Sequence, residues 1–318
     1  EEVLRSGFGA SESGTMNERL ERKFAEIYGL KYAITANSGT STLHMALNSF
    51  GVGPGDEVII PALTVAMCGF AVWQCGAKPI YTDVLSDTFL IDTNDIEKKI
   101  SDKTKAIMPV HMYGNMCEMD KIMKIAEKNN LSVVEDCAEC QLSSDDKGRK
   151  AGTIGNVGSW SFENSKHLTT GDGGILGTND EKLAAKMRRF GAVGFKNVNA
   201  SSGKTRISRD KFQDPSYERH NTLAYNYRCP ELCAAVGLAQ CERIEEFLNL
   251  RIQMAQEYLA TIKDSSFFIP QKVQGGYRNS YYTFATRFLG DEYNISWYDF
   301  RKKYMEFGGD GIYAAHQL

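Results

Sequence analysis

The sequence has few of the features typical of collagen-like, disordered or membrane-spanning chains. Its 318 residues include only 7 prolines and no repeat or low-complexity tract, which excludes collagen-like and disordered chains. The net charge is −3, from 37 basic and 40 acidic residues, so composition gives no reason to expect nucleic acid or a membrane as partner. No apolar run approaches the roughly 20 residues that cross a bilayer, and no signal-peptide pattern opens the chain. These absences leave a globular protein of about two domains.

Cysteine is too sparse for a disulfide framework. The 8 cysteines are spread from Cys68 to Cys241, which indicates a protein of the reducing cytoplasm. Cys137 and Cys140 form a C-x-x-C pair that a redox or zinc site could use. No second C-x-x-C and no His-x-His cluster completes it, so we interpret both as buried thiols and expect no metal site.

Between residues 15 and 140, short apolar runs alternate with amphipathic ones at the spacing of repeated βα units. Thr15 and Glu18 form a capping box at the start of a helix that Gly29 ends. Further strands are expected at 32–35, 58–60, 79–81, 106–110 and 132–135, and further helices at 41–50, 65–75, 93–100 and 117–129. This alternation predicts an α/β fold with a mostly parallel central sheet covered by helices on both faces.

The second half of the chain has a different pattern. Glycine-rich strands are expected at 157–162 and 173–177, followed by a helix near 181–189. Residues 195–222 form a long polar excursion, which is either a lid or anion-binding arm or a plain solvated loop. Pro230 begins a long helix. Its predicted apolar face consists of Leu232, Ala235, Val236, Ala239 and Phe247.

The densest cluster of reactive side chains runs from Ser161 to Gly174. Lys166 lies there between a buried strand and a glycine-rich turn, and a lysine is seldom drawn inward without a task. Burial favours the neutral form of an amine, and a neutral amine forms a Schiff base with an aldehyde cofactor. On its own, this pattern does not separate a nucleophile from an ordinary surface lysine.

Two further clusters suit an anionic cofactor that contains a ring nitrogen. Ser38, Gly39 and Thr40 lie where a strand gives way to a helix, so they either hold a phosphate or serve as plain N-cap residues. Asp136 follows the strand at 132–135, at the edge where open α/β sheets bind ligands, and it either keeps a pyridinium nitrogen protonated or caps a loop. Together, an amine, a phosphate cradle and a carboxylate are what pyridoxal 5′-phosphate requires.

Over nearly its whole length the sequence resembles the DegT/DnrJ/StrS family of sugar aminotransferases. The shared motifs are NSGTS at 37–41, GPGDEVIIPALT at 53–64, CGAKPIYTDV at 75–84, PVHMYG at 109–114, VVEDCAE at 133–139, TTGDGG at 169–174 and NYRCPELCAAVGLAQ at 226–240. The resemblance implies the type I fold of pyridoxal-phosphate enzymes. It places a large cofactor-binding domain at 1–245, with a partial N-terminal segment at 1–14, and a smaller α+β domain at 246–318. The chain begins without methionine and ends short of the family's C-terminus, so we expect residues to be missing at both ends.

The resemblance also implies roles for individual residues. Lys166 would bond to the cofactor and move the proton, and Asp136 would pair with the pyridine nitrogen. Asn226 would reach the phosphate of the neighbouring subunit's cofactor, so that a homodimer shares each active site. The phosphate of the subunit's own cofactor would be held by Ser38, Gly39, Thr40 and Ser161.

Two positions depart from the family pattern. Val65 stands where many members stack an aromatic residue on the cofactor ring. Glu139 stands where glutamine or histidine usually contacts the ring hydroxyl, and a carboxylate there would repel a phenolate unless one of them is protonated. The family's dehydratases carry histidine in place of the lysine. Here Lys166 is present and His167 merely follows it, which favours transamination.

The resemblance implies an aminotransferase that moves an amino group from glutamate or glutamine to a keto group of a nucleotide-linked deoxysugar. Such enzymes serve surface polysaccharide, including lipopolysaccharide, or secondary-metabolite sugar biosynthesis. Candidate substrate contacts are His111, His167, Lys204, Arg206 and Arg209, and His111 is as readily a structural histidine. The alternatives are a cyclitol (keto-inositol) aminotransferase and a regulatory protein that keeps the cofactor without turnover. A dinucleotide oxidoreductase is not favoured, because no G-x-G-x-x-G links an early strand to its helix.

Overall fold

The computed structural model describes residues 1–8, 15–201 and 207–309. Within these residues the chain forms one seven-stranded sheet and one two-stranded sheet, with helices around the larger sheet. The strands are β1 (Tyr32–Ala36), β2 (Glu57–Pro61), β3 (Lys78–Thr82), β4 (Thr104–Ile107), β5 (Ser132–Asp136), β6 (Val157–Ser161), β7 (Gly174–Thr178), β8 (Phe268–Pro270) and β9 (Thr286–Phe288). The helices are α1 (Glu2–Arg5), α2 (Met16–Tyr28), α3 (Gly39–Ser49), α4 (Ala66–Gln74), α5 (Thr93–Lys99), α6 (Met119–Lys128), α7 (Glu181–Gly191), α8 (Arg209–Gln213), α9 (Glu231–Glu242), α10 (Ile244–Ile262) and α11 (Trp297–Glu306).

The large sheet has the strand order β1-β7-β6-β5-β4-β2-β3. The strands from β6 to β3 pair in parallel, whereas β7 runs antiparallel to both of its neighbours, β6 and β1. Every residue of β6 and β7 is buried, as expected for strands that are covered on both faces. The predicted α/β fold with a mostly parallel sheet is therefore confirmed.

Local sequence signals place the first long helix as predicted. Thr15 Oγ1 accepts a hydrogen bond from Glu18 N, and the Glu18 carboxylate accepts one from Thr15 N, which completes the capping box. Gly29 ends the helix with a φ of 70°, a left-handed conformation that favours glycine. The boundaries of α2 therefore follow from its own residues.

The helix predicted from Pro230 is two helices, α9 and α10. Its predicted apolar face is confirmed at Ala235 and Phe247, which pack against the core, and is wrong at Leu232 and Val236. Leu232 and Val236 are 45% and 48% exposed. The side of α9 that packs against α2 includes Gly237, where an added Cβ would lie 2.9 Å from Leu20 Cδ2. Because α2 approaches so closely, small residues form the contact and the larger apolar ones are left outside.

An aromatic cluster fixes the central strand β6 against α2. The Trp160 ring lies 4.9 Å from Phe24 and 4.8 Å from Tyr28, measured between centroids, and it is fully buried. The indole fits because glycines border it: a Cβ at Gly158 would lie 2.5 Å from Trp160 Cη2 and 2.7 Å from Gly152 Cα. Packing of this density holds the end of β6 in a single position.

The register of the strands brings three strand ends together. Gly174, at the start of β7, pairs with Ala36 of β1 on one side and Ser161 of β6 on the other. Asp136, at the end of β5, lies opposite Ser159 of β6. The segments that follow β1, β5 and β6 therefore leave the sheet at the same edge.

The two-stranded sheet forms its own small core with α11. The Phe268 and Phe300 rings lie 5.0 Å apart and the Phe288 and Phe300 rings 5.3 Å apart, measured between centroids. The division into domains at residue 245 stays a prediction. Across the described ranges, none of the helices combines the length and the apolar character needed to cross a membrane.

Candidate active site

The N-terminus of α3 forms a cradle of the kind that holds a phosphate. Ser38 Oγ accepts a hydrogen bond from Ser41 N at 3.1 Å, and Ser38 O accepts one from Thr42 N at 3.2 Å. Ser38 is thus the N-cap residue, as one interpretation of the motif expected. The helix itself supplies no acceptor for the N–H groups of Gly39 and Thr40. These donors and the helix dipole favour an anion at this end of α3.

Two glycines allow the cradle to touch the sheet. A Cβ at Gly39 would lie 2.7 Å from Ser161 Cβ and 3.0 Å from Ser161 Oγ. A Cβ at Gly174 would lie 2.7 Å from Ser38 O. The structure therefore brings together all four residues predicted for the phosphate, which are Ser38, Gly39, Thr40 and Ser161.

Asp136 has a carboxylate that is fixed at both oxygens. Ala138 N donates to Oδ1 at 2.9 Å, and the Cys68 thiol donates to Oδ2 at 3.1 Å. The residue is only 1% exposed. Each carboxylate oxygen keeps a second lone pair, so Asp136 caps its own loop and can still accept a hydrogen bond from a ligand.

The Lys166 amine is drawn inward, as the functional interpretation of this lysine requires. Its Nζ lies 3.5 Å from Glu139 Oε1 and 4.5 Å from the centroid of the Tyr282 ring. The side chains of Lys166 and Glu139 are 12% and 8% exposed. The charges of Lys166 and Asp136 both act on Glu139, so the three groups share one small region.

Glu139 is a carboxylate in a strongly buried environment. Burial raises the pKa of Glu139 above its ordinary value of 4.5, although the Lys166 charge and a hydrogen bond from Tyr113 N to Oε2 at 3.1 Å act in the opposite direction. The position therefore eases protonation of a carboxyl group that the family pattern does not usually place there.

Val65 and Asn226, the other two predicted cofactor contacts, lie on different segments. Val65 is the N-cap residue of α4 and is 37% exposed, one turn before Cys68. Asn226 is exposed and pairs through its backbone with Ala192. Their predicted contacts with a cofactor ring and with a neighbouring subunit stay predictions.

The two candidate histidines are held by the protein itself. His111 is fully buried, and its Nδ1 accepts a hydrogen bond from Cys117 N at 3.0 Å, so the neutral ring carries its proton on Nε2 and donates it to Glu135 Oε2 at 2.9 Å. His167 Nε2 donates to Ser280 O at 3.0 Å, and burial lowers the pKa of His167 to about 3. The structure supports the structural alternative for His111 and gives no support to a substrate contact from either ring.

Cys137 lies near His111 and Glu135, with potential ligand atoms of the three residues within 4.8 Å of one another. The ring nitrogen that faces Glu135 already carries a proton, so it has no lone pair to give a metal. Burial alone would raise the pKa of Glu135, but the hydrogen bonds it accepts lower it. Besides His111, its donors are the N–H groups of Gly152, Ile154 and Gly155. This arrangement is a satisfied buried network, and Cys137 and Cys140 are free buried thiols, as predicted.

The polar excursion is described only in part. Lys204 and Arg206 lie outside the described residues. Arg209 begins the short helix α8 and is exposed, and the excursion is closed at its base by a backbone bridge between Phe195 and His220. Its part in substrate binding stays a prediction.

Three residues of the site were missed by the sequence analysis, namely Cys68, Tyr113 and Tyr282. Tyr113 has a φ of 62° and Tyr281 a φ of 48°, and strained backbone of this kind clusters at functional sites. Tyr282 N donates a hydrogen bond to Tyr113 O at 3.0 Å, which connects the turn at Tyr113 with the turn at Tyr281. The only local signal was the spacing of Thr64 and Cys68, which puts them one helical turn apart.

Comparisons with known proteins identify the family of the chain. The sequence model of the DegT/DnrJ/EryC1/StrS aminotransferase family matches residues 1–294. The GDP-perosamine synthase of Caulobacter vibrioides is 40% identical over 249 residues, which cover 78% of this chain and 62% of that enzyme. The chain therefore spans less than two thirds of the length of this curated relative.

Two solved structures share the fold over nearly the whole chain. DesV of S. venezuelae is 30% identical, with a TM-score of 0.81 and coverage of 94% of this chain and 75% of that chain. The E. coli GDP-4-keto-6-deoxy-D-mannose-3-dehydratase with bound hydrated PLP is 25% identical, with a TM-score of 0.85 and coverage of 97% and 79%. The fold predicted from the resemblance is confirmed by these neighbours. With the family model matched over residues 1–294, the chain belongs to the DegT/DnrJ/EryC1/StrS aminotransferase family.

Proposed function

We propose that the protein is a pyridoxal-phosphate-dependent aminotransferase that acts on the keto group of a nucleotide-linked deoxysugar. The observation that carries this proposal is the inward Lys166 amine, 3.5 Å from Glu139, at the sheet edge that also holds Asp136 and the α3 cradle. Glutamate or glutamine is the proposed amino donor. Surface polysaccharide, including lipopolysaccharide, and secondary-metabolite sugars are the biosynthetic settings that we infer from the family.

The residues present fit pyridoxal phosphate. The cradle offers the N–H groups of Gly39 and Thr40 and the hydroxyl of Ser161 to a phosphate. Asp136 offers a fixed carboxylate to a pyridinium nitrogen, and Lys166 offers an amine to an aldehyde. When bound, the cofactor supplies that aldehyde and a ring that withdraws electrons from a substrate carbon.

Two side chains of this chain perform the chemistry around the cofactor. Asp136 would offer its carboxylate to the ring nitrogen and so favour the protonated ring. Lys166 would hold the cofactor through its amine and, once the amino donor takes that place, would accept the proton from the donor's α carbon and give it up again. With a keto sugar as acceptor, Lys166 would move a proton in the reverse direction.

Glu139 carries its proton more readily than an exposed carboxyl, because burial raises its pKa. A protonated Glu139 would donate a hydrogen bond to the ring oxygen instead of repelling it. This removes the conflict between a carboxylate at this position and a phenolate on the cofactor. Val65 offers the ring an aliphatic contact in place of an aromatic stack.

The presence of lysine separates this proposal from dehydration. A dehydratase is among the solved structures with the same fold, so the fold does not decide between the two reactions. A dehydratase of this family would carry histidine at the position of Lys166. His167 does not substitute for it, because its Nε2 donates to Ser280 O at 3.0 Å and its ring is buried.

A homodimer is the proposed assembly. Met67, Phe70 and Trp73 lie three residues apart along α4, on one face, and are 45%, 45% and 57% exposed. Leu223 is 90% exposed, and the segment that follows it packs on α3 through Tyr225. Helix α4 packs on α3 as well. An apolar surface of this kind is typical of an interface. A second copy would cover it and bring Asn226 toward the partner's cofactor.

The substrate proposal places the nucleotide near the polar excursion. A nucleotide pyrophosphate needs cations, and Lys204, Arg206 and Arg209 are the candidates. Changing all three to alanine should weaken binding of the nucleotide-linked substrate by more than about tenfold, as expected for loss of charged phosphate contacts. A cyclitol aminotransferase would be affected little. We further infer a reducing cytoplasm, because all 8 cysteines are free.

The test of the proposal starts from the pyridoxamine form of the enzyme. We expect nucleotide keto sugars, and not keto cyclitols, to restore the absorbance of the lysine-bound cofactor. In Lys166→Ala, borohydride should no longer fix the cofactor to the chain, as measured by mass spectrometry, whereas the exposed-site control Lys182→Ala should behave like the wild type. A borohydride-stable linkage in Lys166→Ala would overturn the lysine assignment, and a wild-type protein that binds the cofactor without any turnover would support a regulatory protein instead.

A further inference from the structure

Cys68 is a buried thiol that connects two distant parts of the site. It lies on α4, and its Sγ is 3.1 Å from Asp136 Oδ2 at the end of β5. On its other side, Thr64 Oγ1 lies 3.0 Å from the same sulfur. Cys68 is fully buried, so water cannot take the place of either contact.

The direction of this hydrogen-bond chain follows from chemistry. An ionised Asp136 can only accept, so the thiol must donate to it. The sulfur is then left as an acceptor, and the Thr64 hydroxyl donates to it. Burial, followed by the charge of Asp136, raises the pKa of the Cys68 thiol, which keeps the proton on sulfur. The chain therefore runs from Thr64 through Cys68 to Asp136.

The chain limits how the Asp136 carboxylate can turn. Ala138 N holds Oδ1 from within the same loop, at 2.9 Å. A single contact to Oδ1 would leave the carboxylate free to rotate about its own bond. The thiol on Oδ2 comes from a different element, so the two contacts together fix the plane of the group.

We propose that Cys68, supported by Thr64, is a positioning residue that orients Asp136 toward the ring nitrogen of the cofactor. This inference rests on the proposed function, because it needs a bound pyridoxal phosphate. Cys68 touches neither the cofactor nor the substrate and acts only through Asp136. Its loss should let the carboxylate turn away, so that the ring nitrogen is protonated less completely. A less electron-poor ring holds the proton of its lysine linkage more tightly, which moves the titration of that linkage to higher pH.

The matched control is Cys117. It is also fully buried and also donates its thiol hydrogen to an oxygen, Val110 O at 3.2 Å, but it has no contact with Asp136. The experiment compares Cys68→Ala, Cys68→Ser and Thr64→Val with Cys117→Ala. Three quantities are measured for each purified variant: the dissociation constant of pyridoxal phosphate, the pH midpoint of the absorbance of the lysine-bound cofactor, and the thermal unfolding midpoint without cofactor.

We expect Cys68→Ala to bind the cofactor about fivefold to tenfold more weakly, as for the loss of one buried hydrogen bond, and to titrate at higher pH. Thr64→Val should shift both quantities in the same direction but less. Cys68→Ser should behave like the wild type, since a hydroxyl donates to the carboxylate as well as a thiol does. Cys117→Ala should lower thermal stability without moving the pH midpoint.

Two results would overturn the inference. One is a Cys68→Ala variant whose cofactor affinity and pH midpoint match those of Cys117→Ala. The other is a Cys68→Ser variant as impaired as Cys68→Ala, since the residue would then matter for its volume rather than for its hydrogen bond. A wild-type protein that takes up no pyridoxal phosphate would instead contradict the proposed function, so the two failures are distinguishable.

Discussion

Lys166 and Glu139 are opposite charges held together in a region where water is scarce. Their contact of 3.5 Å is not a source of much stability, because the cost of burying each charge opposes the attraction between them. Burial of the pair instead raises the pKa of the Glu139 carboxyl. Its effect should therefore be visible in the pH dependence of stability rather than in stability at one pH.

The first prediction concerns Glu139→Gln without cofactor. A folded-state pKa raised above 4.5 means that the stability contributed by Glu139 is full below the unfolded pKa and is lost as the pH rises through the folded pKa. Glutamine has no such loss. We expect the unfolding temperature of the variant to rise relative to that of the wild type as the pH rises above the ordinary carboxyl value of 4.5.

Thermal unfolding at several pH values measures this difference. Glu163→Gln is the contrasting variant, since hydrogen bonds from Ser165 lower the pKa of Glu163 and its contribution is lost as the pH falls. It should change in the opposite sense. Parallel curves for Glu139→Gln and the wild type would contradict the prediction.

The site residues that could be predicted from the sequence are those marked by a recognisable pattern in their neighbouring residues. Lys166, Asp136 and the α3 cradle are each marked by a strand end, a glycine-rich turn or a helix start. Cys68 and Tyr282 carry no such mark, because Cys68 joins the site through its contact with Asp136 and Tyr282 through its contacts with Tyr113 and Lys166. Their roles depend on contacts between residues that are distant in sequence.

At the scale of the element, helix α3 covers the sheet and also presents the N–H groups of its first turn to the proposed phosphate. The position of these N–H groups depends on the close approach of Gly39 to β6. The sequence placed the start of this helix at residue 41 rather than 39, since glycine is a poor helix former. The structure shows that glycine is needed there because of Ser161, a neighbour that local propensity does not include.

The second prediction tests this approach through Gly39→Ala. The added Cβ would lie 2.7 Å from Ser161 Cβ, so the helix start or the end of β6 must move. We expect cofactor affinity to fall by about tenfold or more, because displaced N–H groups no longer meet the phosphate. Fluorescence titration with pyridoxal phosphate measures it.

Gly53→Ala is the matched control, since an added Cβ at Gly53 meets nothing within 4 Å. It should leave the affinity for pyridoxal phosphate unchanged. If Gly39→Ala and Gly53→Ala bind the cofactor equally well, the cradle is not where the phosphate lies.

The third prediction concerns the contact between α2 and α7. Arg188 donates to both oxygens of Glu21, at 2.9 and 2.8 Å, and to Ala33 O at 3.0 Å. Both side chains are at most 10% exposed. Arg188→Met leaves the Glu21 carboxylate buried without its partner, so we expect a loss of about 3–5 kcal/mol of unfolding free energy. Urea denaturation measures it.

Two further variants check the explanation. Arg189→Met, at the neighbouring half-buried arginine, should cost much less. The double variant Glu21→Gln with Arg188→Met should recover part of the loss, because the unpaired charge is gone. A double variant less stable than Arg188→Met alone would contradict an origin in the unpaired carboxylate.

For the whole molecule, the most informative surfaces are those that one chain leaves open. The helix face predicted to be buried on α9 proved to be exposed at Leu232 and Val236, and α4 shows three large apolar side chains. The mostly parallel character of the large sheet could be predicted from the alternation of strands and helices, whereas its strand order and the antiparallel β7 were not predicted. The sequence could not show which helix faces are exposed. Exposure depends on how closely the helices pack and on what a second copy covers.

The fourth prediction concerns assembly. Replacing Trp73 on the exposed face of α4 by glutamate places a charge in the proposed interface. We expect Trp73→Glu to be a monomer by light scattering and to lose most of its activity, since each site would lack Asn226 from the other subunit. Phe307→Glu is the control, because Phe307 is 90% exposed but lies beyond α11. A dimeric Trp73→Glu protein would exclude α4 from the interface.

The insertion of β7 between β1 and β6 has a consequence for how the protein reaches its native state. Gly174 must pair with Ala36 and with Ser161 before the cradle has both of its walls, and Ala36 lies far from the other two along the chain. Closing so long a loop is slow compared with forming the βα units between them. The ability to bind the cofactor should therefore return late in refolding, after most helices have formed. Cofactor binding would then report that the sheet is complete.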